Sequence, residues 1–361
     1  MSPKASGSPI RLSTPSIGAA EEQAVLRVLR SGRLVQGPEV EAFEAEFTAA
    51  TGFSHAVAVS SGTAALLLSL KALPVGPGDE VVVPAYTFIA TANAARLAGA
   101  TVVLADVLPG NLNLNPESVA SVAGPRTAVV MPVHQFGLLA DVRAISAAAP
   151  RAEILEDAAC AAGALTSRQA LGRMACFSFH SRKTMTTGEG GMITTSDSDL
   201  AARLRRLRQH GMGAGETEEA GYNFRMNELA AALGRVQLKR LPEMIGKRRR
   251  AAGWYREGLK DLGWLILPEG SSHAFQSYVV QLSADASVGR QRLIDHLKSH
   301  SIETQAGVQP VHLHKPYRQS ARGPLPVSEQ AGNNAVFLPM HPGLGVEAVE
   351  RVCAALRSLT G

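Results

Sequence analysis

The sequence predicts an α/β fold in which a mainly parallel sheet is flanked by helices. Over about the first 200 residues, short β-branched apolar runs alternate with helical patterns. Turn signals separate them, as at Pro77-Gly78-Asp79 and Leu108-Pro109-Gly110. Parallel strands need long crossover connections, which are usually helices, and we therefore expect helices to cover both faces of the sheet.

The individual elements follow from these patterns. Buried strands are predicted at residues 56–59, 80–83, 101–104, 128–133 and 153–155, and helices between them at 64–72, 89–97 and 142–148. A strand-like run at 177–179 is followed by a strand at 192–195, a helix at 197–209, a loop at 211–221 and a helical pattern from 227 to about 262. Strands at 276–282 and 336–338 and helices at 289–299 and 346–359 complete the chain.

The length of 361 residues allows about two domains of roughly 150 residues each. We place the boundary near 239–244. This gives a large domain of residues 1–240, which carries the motifs described below, and a smaller C-terminal α+β domain of residues 241–361. The first 20 or so residues are expected to pack on the smaller domain.

The composition limits the classes of protein to which the chain can belong. The formal charge of +5 is modest and suits small anionic ligands, without indicating nucleic acid. Basic clusters at 203–208 and 247–250 are interpreted as solvated helix faces. No apolar run is long enough to span a membrane, and none follows Lys4 as in a secretory signal. The three cysteines, at 160, 176 and 353, lack metal-ligand spacing. We expect a reduced, cytoplasmic protein without a metal site.

A first candidate site is the run Ser60-Ser61-Gly62-Thr63, where a predicted strand ends and a helix begins. Unpaired amides at a helix start, together with the helix dipole, favour an anion such as phosphate. The alternative is that Ser60 or Ser61 simply caps the helix.

A second candidate is Asp157, which follows a predicted buried strand. Ligands of open α/β sheets bind at the carboxyl ends of the strands. An aspartate there can keep a ring nitrogen of a flat ligand protonated. The alternative is an aspartate that only caps the next turn.

The third candidate is Lys183, which follows the run at 177–179 and precedes a segment rich in hydroxyls and glycine. A lysine between apolar strands is partly desolvated, which makes its amine easier to deprotonate, as Schiff-base chemistry requires. The hydroxyl of Ser178 and the amine of Lys183 could address opposite ends of one cofactor. His180 is assigned to the face opposite Lys183, on the assumption that the strand continues.

A phosphate-binding helix start, a strand-end aspartate and a lysine together describe a pyridoxal 5'-phosphate (PLP) site. The chain also resembles the DegT/DnrJ/StrS family of PLP-dependent sugar-nucleotide aminotransferases over nearly its whole length. The resemblance rests on motifs at residues 10–13, 29–38, 78–81, 84–88, 132–137, 310–312 and 338–344. It implies an aspartate-aminotransferase-like fold (PLP fold type I).

The resemblance also implies roles for single residues. Lys183 is similar to the lysine that binds PLP as a Schiff base, and Asp157 to the partner of the pyridine nitrogen. Gly62, Thr63 and Ser178 are similar to phosphate-binding residues.

Two further positions follow from the same resemblance. Phe88 occupies the position of an aromatic ring stacked on the cofactor. Asn223 occupies the position that reaches the phosphate of the partner subunit, which implies a homodimer with shared active sites. The family often has glutamine where this chain has Cys160, which is either a small packing residue or a weak polar contact to the cofactor.

The expected reaction is transfer of an amino group, by resemblance from L-glutamate, to a nucleotide-linked keto-deoxy sugar. Two alternatives stay open at this point: an aminotransferase for a cyclitol or other keto substrate, and a non-catalytic PLP-binding sensor.

Overall fold

A seven-stranded sheet forms the centre of the molecule, whose computed structural model describes residues 8–270 and 272–359. Its strands, in chain order, are β1 (His55–Val59), β2 (Glu80–Pro84), β3 (Thr101–Ala105), β4 (Thr127–Val130), β5 (Glu153–Asp157), β6 (Met174–Ser178) and β7 (Gly191–Thr195). Their order in space is β1-β7-β6-β5-β4-β2-β3, and β7 is antiparallel to both of its neighbours. The predicted mainly parallel sheet is therefore confirmed.

Helices pack around this sheet, and side chains in the sequence account for several of their starts. They are α1 (Ala19–Ser31), α2 (Pro38–Thr51), α3 (Gly62–Ala72), α4 (Ala90–Leu97), α5 (Pro116–Val122), α6 (Val142–Ala148), α7 (Ser198–Arg208) and α8 (Glu228–Leu259). Asn115, Asp141, Asp197 and Asn227 each accept a hydrogen bond from a backbone amide of the first turn of the following helix.

The C-terminal part of the chain forms a separate four-stranded antiparallel sheet, called the small sheet below. Its strands are β8 (Leu265–Ile266), β9 (Tyr278–Leu282), β10 (Gln305–Ala306) and β11 (Ala335–Leu338), in the order β10-β11-β9-β8. The helices α9 (Arg290–Ser299), α10 (Pro326–Asn334) and α11 (Val346–Ser358) accompany it.

The proposed boundary near residue 240 falls inside α8, which continues past Pro242. The division into two domains stays a prediction. Near the N-terminus, Ile10 donates a backbone hydrogen bond to Ser301 (2.9 Å) and packs in the apolar core of the small sheet. Residues 1–7 of the N-terminal prediction lie outside the described residues. Among the described helices, none has the length and apolarity to cross a membrane.

The basic clusters are solvated faces only in part, since Arg205, Arg249 and Arg250 are exposed but one arginine of each cluster is buried. Arg208 is buried in α7, and Arg248 is buried in α8. Arg208 Nη1 donates to Glu44 Oε1 (2.6 Å) and to the carbonyl of Ala58 (2.7 Å), while the amide of Ala58 donates to Glu44 (2.8 Å). This buried pair joins α2, β1 and α7. Charge runs alone did not reveal it, because the carboxylate comes from a distant segment.

We expect Arg208→Met to destabilise the fold by about 3–5 kcal/mol, because it leaves the Glu44 carboxylate buried without its nearest cation. Urea denaturation measures the change. In the matched control, Arg173→Met removes an exposed arginine that pairs with Asp197 (2.8 Å), and the loss should stay below about 1 kcal/mol. Equal losses in the two variants would contradict the assignment.

Candidate active site

The site residues meet where the parallel strands of the large sheet end. Asp157 ends β5, and its backbone pairs with Cys176 of the neighbouring strand β6. Ser178 ends β6 beside Gly191 of β7, and Gly191 pairs in turn with Val59 at the end of β1. The carboxyl ends of β1, β5 and β6 therefore share one edge, which is where ligands of open α/β sheets bind.

Lys183 lies in the loop between β6 and β7. Its backbone amide donates to the carbonyl of His180 (2.8 Å), and its Nζ donates to Cys160 Sγ (3.2 Å). Because Cys160 follows Asp157 closely in the chain, this contact brings the amine next to the loop that carries the carboxylate.

The prediction that His180 lies on the face opposite Lys183 assumed that the strand continues, and this assumption was wrong. The strand ends at Ser178, and the carbonyl of His180 accepts the Lys183 amide in a turn, so the alternation of a strand does not apply. His180 is partly exposed, with Nε2 3.7 Å from Glu189 Oε1.

Asp157 is buried, with only 4% of the residue exposed. Its Oδ2 accepts from Thr91 Oγ1 (2.9 Å), and its Oδ1 accepts from the amide of Ala159 (3.1 Å). Burial raises the pKa of Asp157, whereas these hydrogen bonds and the positive charge of Lys183 act in the opposite direction. Asp157 caps the next turn through Oδ1, as the alternative interpretation predicted. A cap requires neither the hydrogen bond that Thr91 donates to Oδ2 nor the burial of the residue. A buried carboxylate calls for a cationic partner.

The start of α3 is built around Ser61 and Gly62. Ser61 Oγ accepts from the amide of Ala64 (3.0 Å), so Ser61 is a helix cap. A Cβ added to Gly62 would lie 2.7 Å from Ser178 Cβ, so only glycine lets the helix start approach β6 this closely. The first amides of α3 precede its intrahelical bonds and are available to an anion beside the exposed Thr63.

Two other predicted residues flank this edge. Phe88 follows β2, and its side chain is 68% exposed, which leaves a ring face free for a flat ligand. Asn223 is exposed on a segment next to the α3 start, where the amide of Ser60 donates to the carbonyl of Phe224 (2.8 Å). The single chain thus provides surfaces at both positions without fixing what either one binds.

Sequence reasoning missed Thr91, which donates to Asp157 from the first turn of α4. The available signal was its position just after the motif that ends in Phe88. His134 has a structural role. Its Nδ1 accepts from the amide of Ala140 (3.0 Å), which puts the proton on Nε2, and Nε2 donates to the buried Glu156 carboxylate (2.9 Å).

The arrangement suits one kind of molecule. An anionic end fits the start of α3 near Ser178, and a protonated ring nitrogen fits the buried carboxylate of Asp157. A flat ring fits the uncovered face of Phe88, and an electrophilic carbon fits the amine of Lys183. These are the features of PLP, and the buried carboxylate and the glycine contact at Gly62 fit that group.

Comparison with known proteins leads to the same class. GDP-perosamine synthase of Caulobacter vibrioides is 38% identical over 96% of this chain and 97% of that protein. The spore coat polysaccharide biosynthesis protein SpsC of Bacillus subtilis is 39% identical over 96% of each chain. The solved structure of S. venezuelae DesV in complex with a ketimine intermediate superposes with a TM-score of 0.88, at 37% identity over 94% of each chain.

The fold is that of PLP-dependent aminotransferases, and the solved structures that superpose on it belong to the same class. The profile of the DegT/DnrJ/EryC1/StrS aminotransferase family matches residues 15–357, and the chain belongs to that family. The protein is therefore an enzyme of the sugar aminotransferase type.

Gly62→Ala should destabilise the protein by about 1–3 kcal/mol, because the new methyl group overlaps Ser178. Thermal denaturation measures the change. Gly76→Ala is the matched control, since a Cβ at Gly76 meets no atom within 4 Å. Identical melting temperatures for the two variants would show that the contact between α3 and β6 is not tight.

The raised pKa of Asp157 predicts a pH-dependent effect in the cofactor-free protein. The folded state holds this proton more tightly than the unfolded chain, so the associated stability is lost as pH rises from about 4 through the folded pKa. Asparagine has no such proton. The Tm of Asp157→Asn, relative to the Tm of the parent protein, should therefore increase as pH rises from about 4 to about 7.

Asp197→Asn serves as the control with the opposite sign. Hydrogen bonds from the Leu200 and Asp199 amides and from Arg173 lower the pKa of Asp197. Its stabilising effect is present above its unfolded pKa and is lost as pH falls through the lowered folded pKa, so this variant should lose ground to the parent protein as pH rises from about 2 to about 5. The same pH trend in both variants would contradict the burial argument.

Proposed function

We propose that this enzyme uses PLP, bound through Lys183, to move an amino group from L-glutamate to a nucleotide-linked keto-deoxy sugar. The observation that carries the proposal is the contact of the Lys183 amine with Cys160, on the loop that follows the buried residue Asp157. A buried Asp157 and an amine at one sheet edge are what a cofactor with a cationic ring and an aldehyde needs.

The cofactor contacts follow from the geometry of the edge. Gly62 and Thr63 at the start of α3, with Ser178 beside them, would hold the phosphate. Asp157 would pair with the ring nitrogen, and Phe88 would cover one face of the ring. Asn223 of a second copy would reach the phosphate, which makes the active form a homodimer. The exposed apolar side chains of Leu26, Leu29 and Val35 are a surface that such a dimer could cover.

Bound PLP supplies an electron sink for the carbon that loses its proton. The chain supplies position and proton transfer. Asp157 would keep the ring nitrogen protonated, because a buried carboxylate stabilises a cationic hydrogen-bond partner. Nζ of Lys183 would act as general base and acid, moving a proton between the substrate carbon and C4′ of the cofactor. Cys160 Sγ accepts a hydrogen bond from the resting amine and holds it on the cofactor side of the loop.

The substrate class rests on the relatives. GDP-perosamine synthase shares 38% of its residues with this chain over nearly the full length of both proteins. Such overall similarity supports a nucleotide-linked keto sugar as acceptor. A charge of +5 suits such an anionic small molecule, and the free thiols of Cys160, Cys176 and Cys353 support a cytoplasmic location.

Lys183→Ala should abolish the visible absorbance of lysine-bound PLP and lower kcat/KM for transamination by at least about 10³-fold, since both attachment and proton transfer are lost. Absorbance spectra and a glutamate-dependent assay measure this. The matched control is Lys298→Ala, which removes an exposed lysine of α9 and should leave both readouts unchanged. Substantial transamination by Lys183→Ala would refute the assignment.

The acceptor is tested by incubating the purified enzyme with PLP, glutamate and a panel of nucleotide-linked keto sugars, with a keto-cyclitol as comparison. Mass spectrometry of the products should show replacement of a carbonyl oxygen by an amino group in a nucleotide sugar. Amination of the cyclitol alone would overturn the proposed substrate class and leave the PLP assignment intact.

A further inference from the structure

The peptide bond that precedes Lys183 is held at both of its polar ends. Its N–H, on Lys183, donates to the carbonyl of His180 (2.8 Å) within the loop. Its C=O, on Arg182, accepts from Gln276 Nε2 (3.0 Å), a side chain just before β9 of the small sheet. This peptide plane sets the direction in which the Lys183 side chain leaves the backbone. One of its two constraints therefore comes from outside the large sheet.

The Gln276 side chain is itself oriented. Ser277 Oγ donates to Gln276 Oε1 (3.1 Å), which fixes the amide so that Nε2 faces Arg182. The amide of Ser277 is directed at the carbonyl of Phe136 (3.4 Å), in the turn that follows β4. A Cβ on neighbouring Gly137 would lie 3.0 Å from the carbonyl of Cys160 and 3.3 Å from the amide of Gln276. The segment before β9 is therefore seated against the loop that carries Cys160.

The buried arginine of α8 fixes the same segment. Arg248 Nη1 donates to the carbonyls of Phe275 (3.1 Å), Gln276 (2.9 Å) and Met340 (3.1 Å). Burial lowers the pKa of Arg248 to about 10, and its hydrogen-bond acceptors are neutral carbonyls. A buried cation is expensive to desolvate, so its presence argues that the position of this backbone segment matters. Phe275 adopts a positive φ of 47°, a conformation that a bulky residue rarely takes.

We propose that Gln276 is a positioning residue that aims Lys183, with Arg248 holding Gln276 in place. The proposal rests on the proposed function, because it assigns a purpose to the direction of the Lys183 amine. It adds a residue from the small sheet to a site otherwise built on the large one. Losing the bond from Gln276 frees the peptide plane before Lys183. The amine then spends less time within reach of the reacting carbon.

The test compares three glutamine-to-methionine variants, since methionine keeps side-chain length and removes the hydrogen-bond donor. Gln276→Met removes the bond to the peptide before Lys183. Gln281→Met is the matched control, because Gln281 also spans from the small sheet to a carbonyl near the large sheet, that of Gly110 (2.8 Å). Gln305→Met removes the acceptor of Arg182 Nη1 (3.1 Å) and leaves the peptide bond held.

Hydrogen–deuterium exchange of the cofactor-free protein is the first readout, because it requires neither PLP nor activity. Gln276→Met should increase exchange in the peptide containing Lys183 by about tenfold, while the two controls leave it unchanged. The second readout is steady-state kinetics. In Gln276→Met, kcat should fall by on the order of 10-fold with KM nearly unchanged, because misaligned reacting groups slow the chemical step more than they weaken binding.

The exchange and kinetic results of the three variants decide whether Gln276 positions Lys183. If Gln276→Met behaves like Gln281→Met in exchange, the positioning role is overturned. If Gln305→Met reproduces the full effect, the Arg182 side chain and not the peptide bond is what matters, which also overturns it. Gln276→Ala replaces the methionine variant if circular dichroism shows that the latter does not fold. Altered exchange in an enzyme that does not bind PLP through Lys183 would show that Gln276 holds the peptide bond, but it would refute the proposed function and with it the purpose assigned to the Lys183 amine.

Discussion

The burial of the Asp157 carboxylate is the constraint on which the rest of the site depends. A carboxylate in an apolar interior is unstable unless hydrogen bonds or a cation compensate for its lost hydration. Thr91 and the Ala159 amide supply two hydrogen bonds, and the Lys183 amine contributes a positive charge nearby. The protein thus holds a negative charge in a position that favours a cationic ring, at some expense to its own stability.

The sheet order turns this local constraint into a site. Placing β6 next to β5, and β7 between β6 and β1, brings three chain segments that are far apart in sequence to the same edge. Close backbone approach then depends on residues without side chains. A Cβ at Gly62 would overlap Ser178, and a Cβ at Gly191 would lie 2.5 Å from the carbonyl of Ser61. The glycines therefore set the distance between the start of α3 and the strands β6 and β7, which flank the loop of Lys183.

Much of this architecture was accessible from the sequence, because β-branched runs and turn residues give strong local signals. The alternating strands, the strand-end position of Asp157 and the helix start at Gly62 follow from them. Other features depend on distant partners and left no local trace. The pairing of Glu44 with Arg208, the bond from Thr91 to Asp157 and the turn that redirects His180 are of this kind. Short helices such as α5 and α10 also escaped prediction, because a few residues after a proline carry little periodicity.

The long helix α8 is a continuous connection between the large sheet and the small sheet. It packs against α1 and α2 beside the large sheet and against α11 beside the small one, without a break at the proposed boundary. Pro242 lies within it and cannot donate the backbone hydrogen bond of an ordinary helical residue. The helix is therefore easiest to bend at this proline, between the part that contacts α1 and α2 and the part that contacts α11. Beyond the proline, the same helix carries Arg248, whose hydrogen bonds fix the backbone at Phe275 and Gln276.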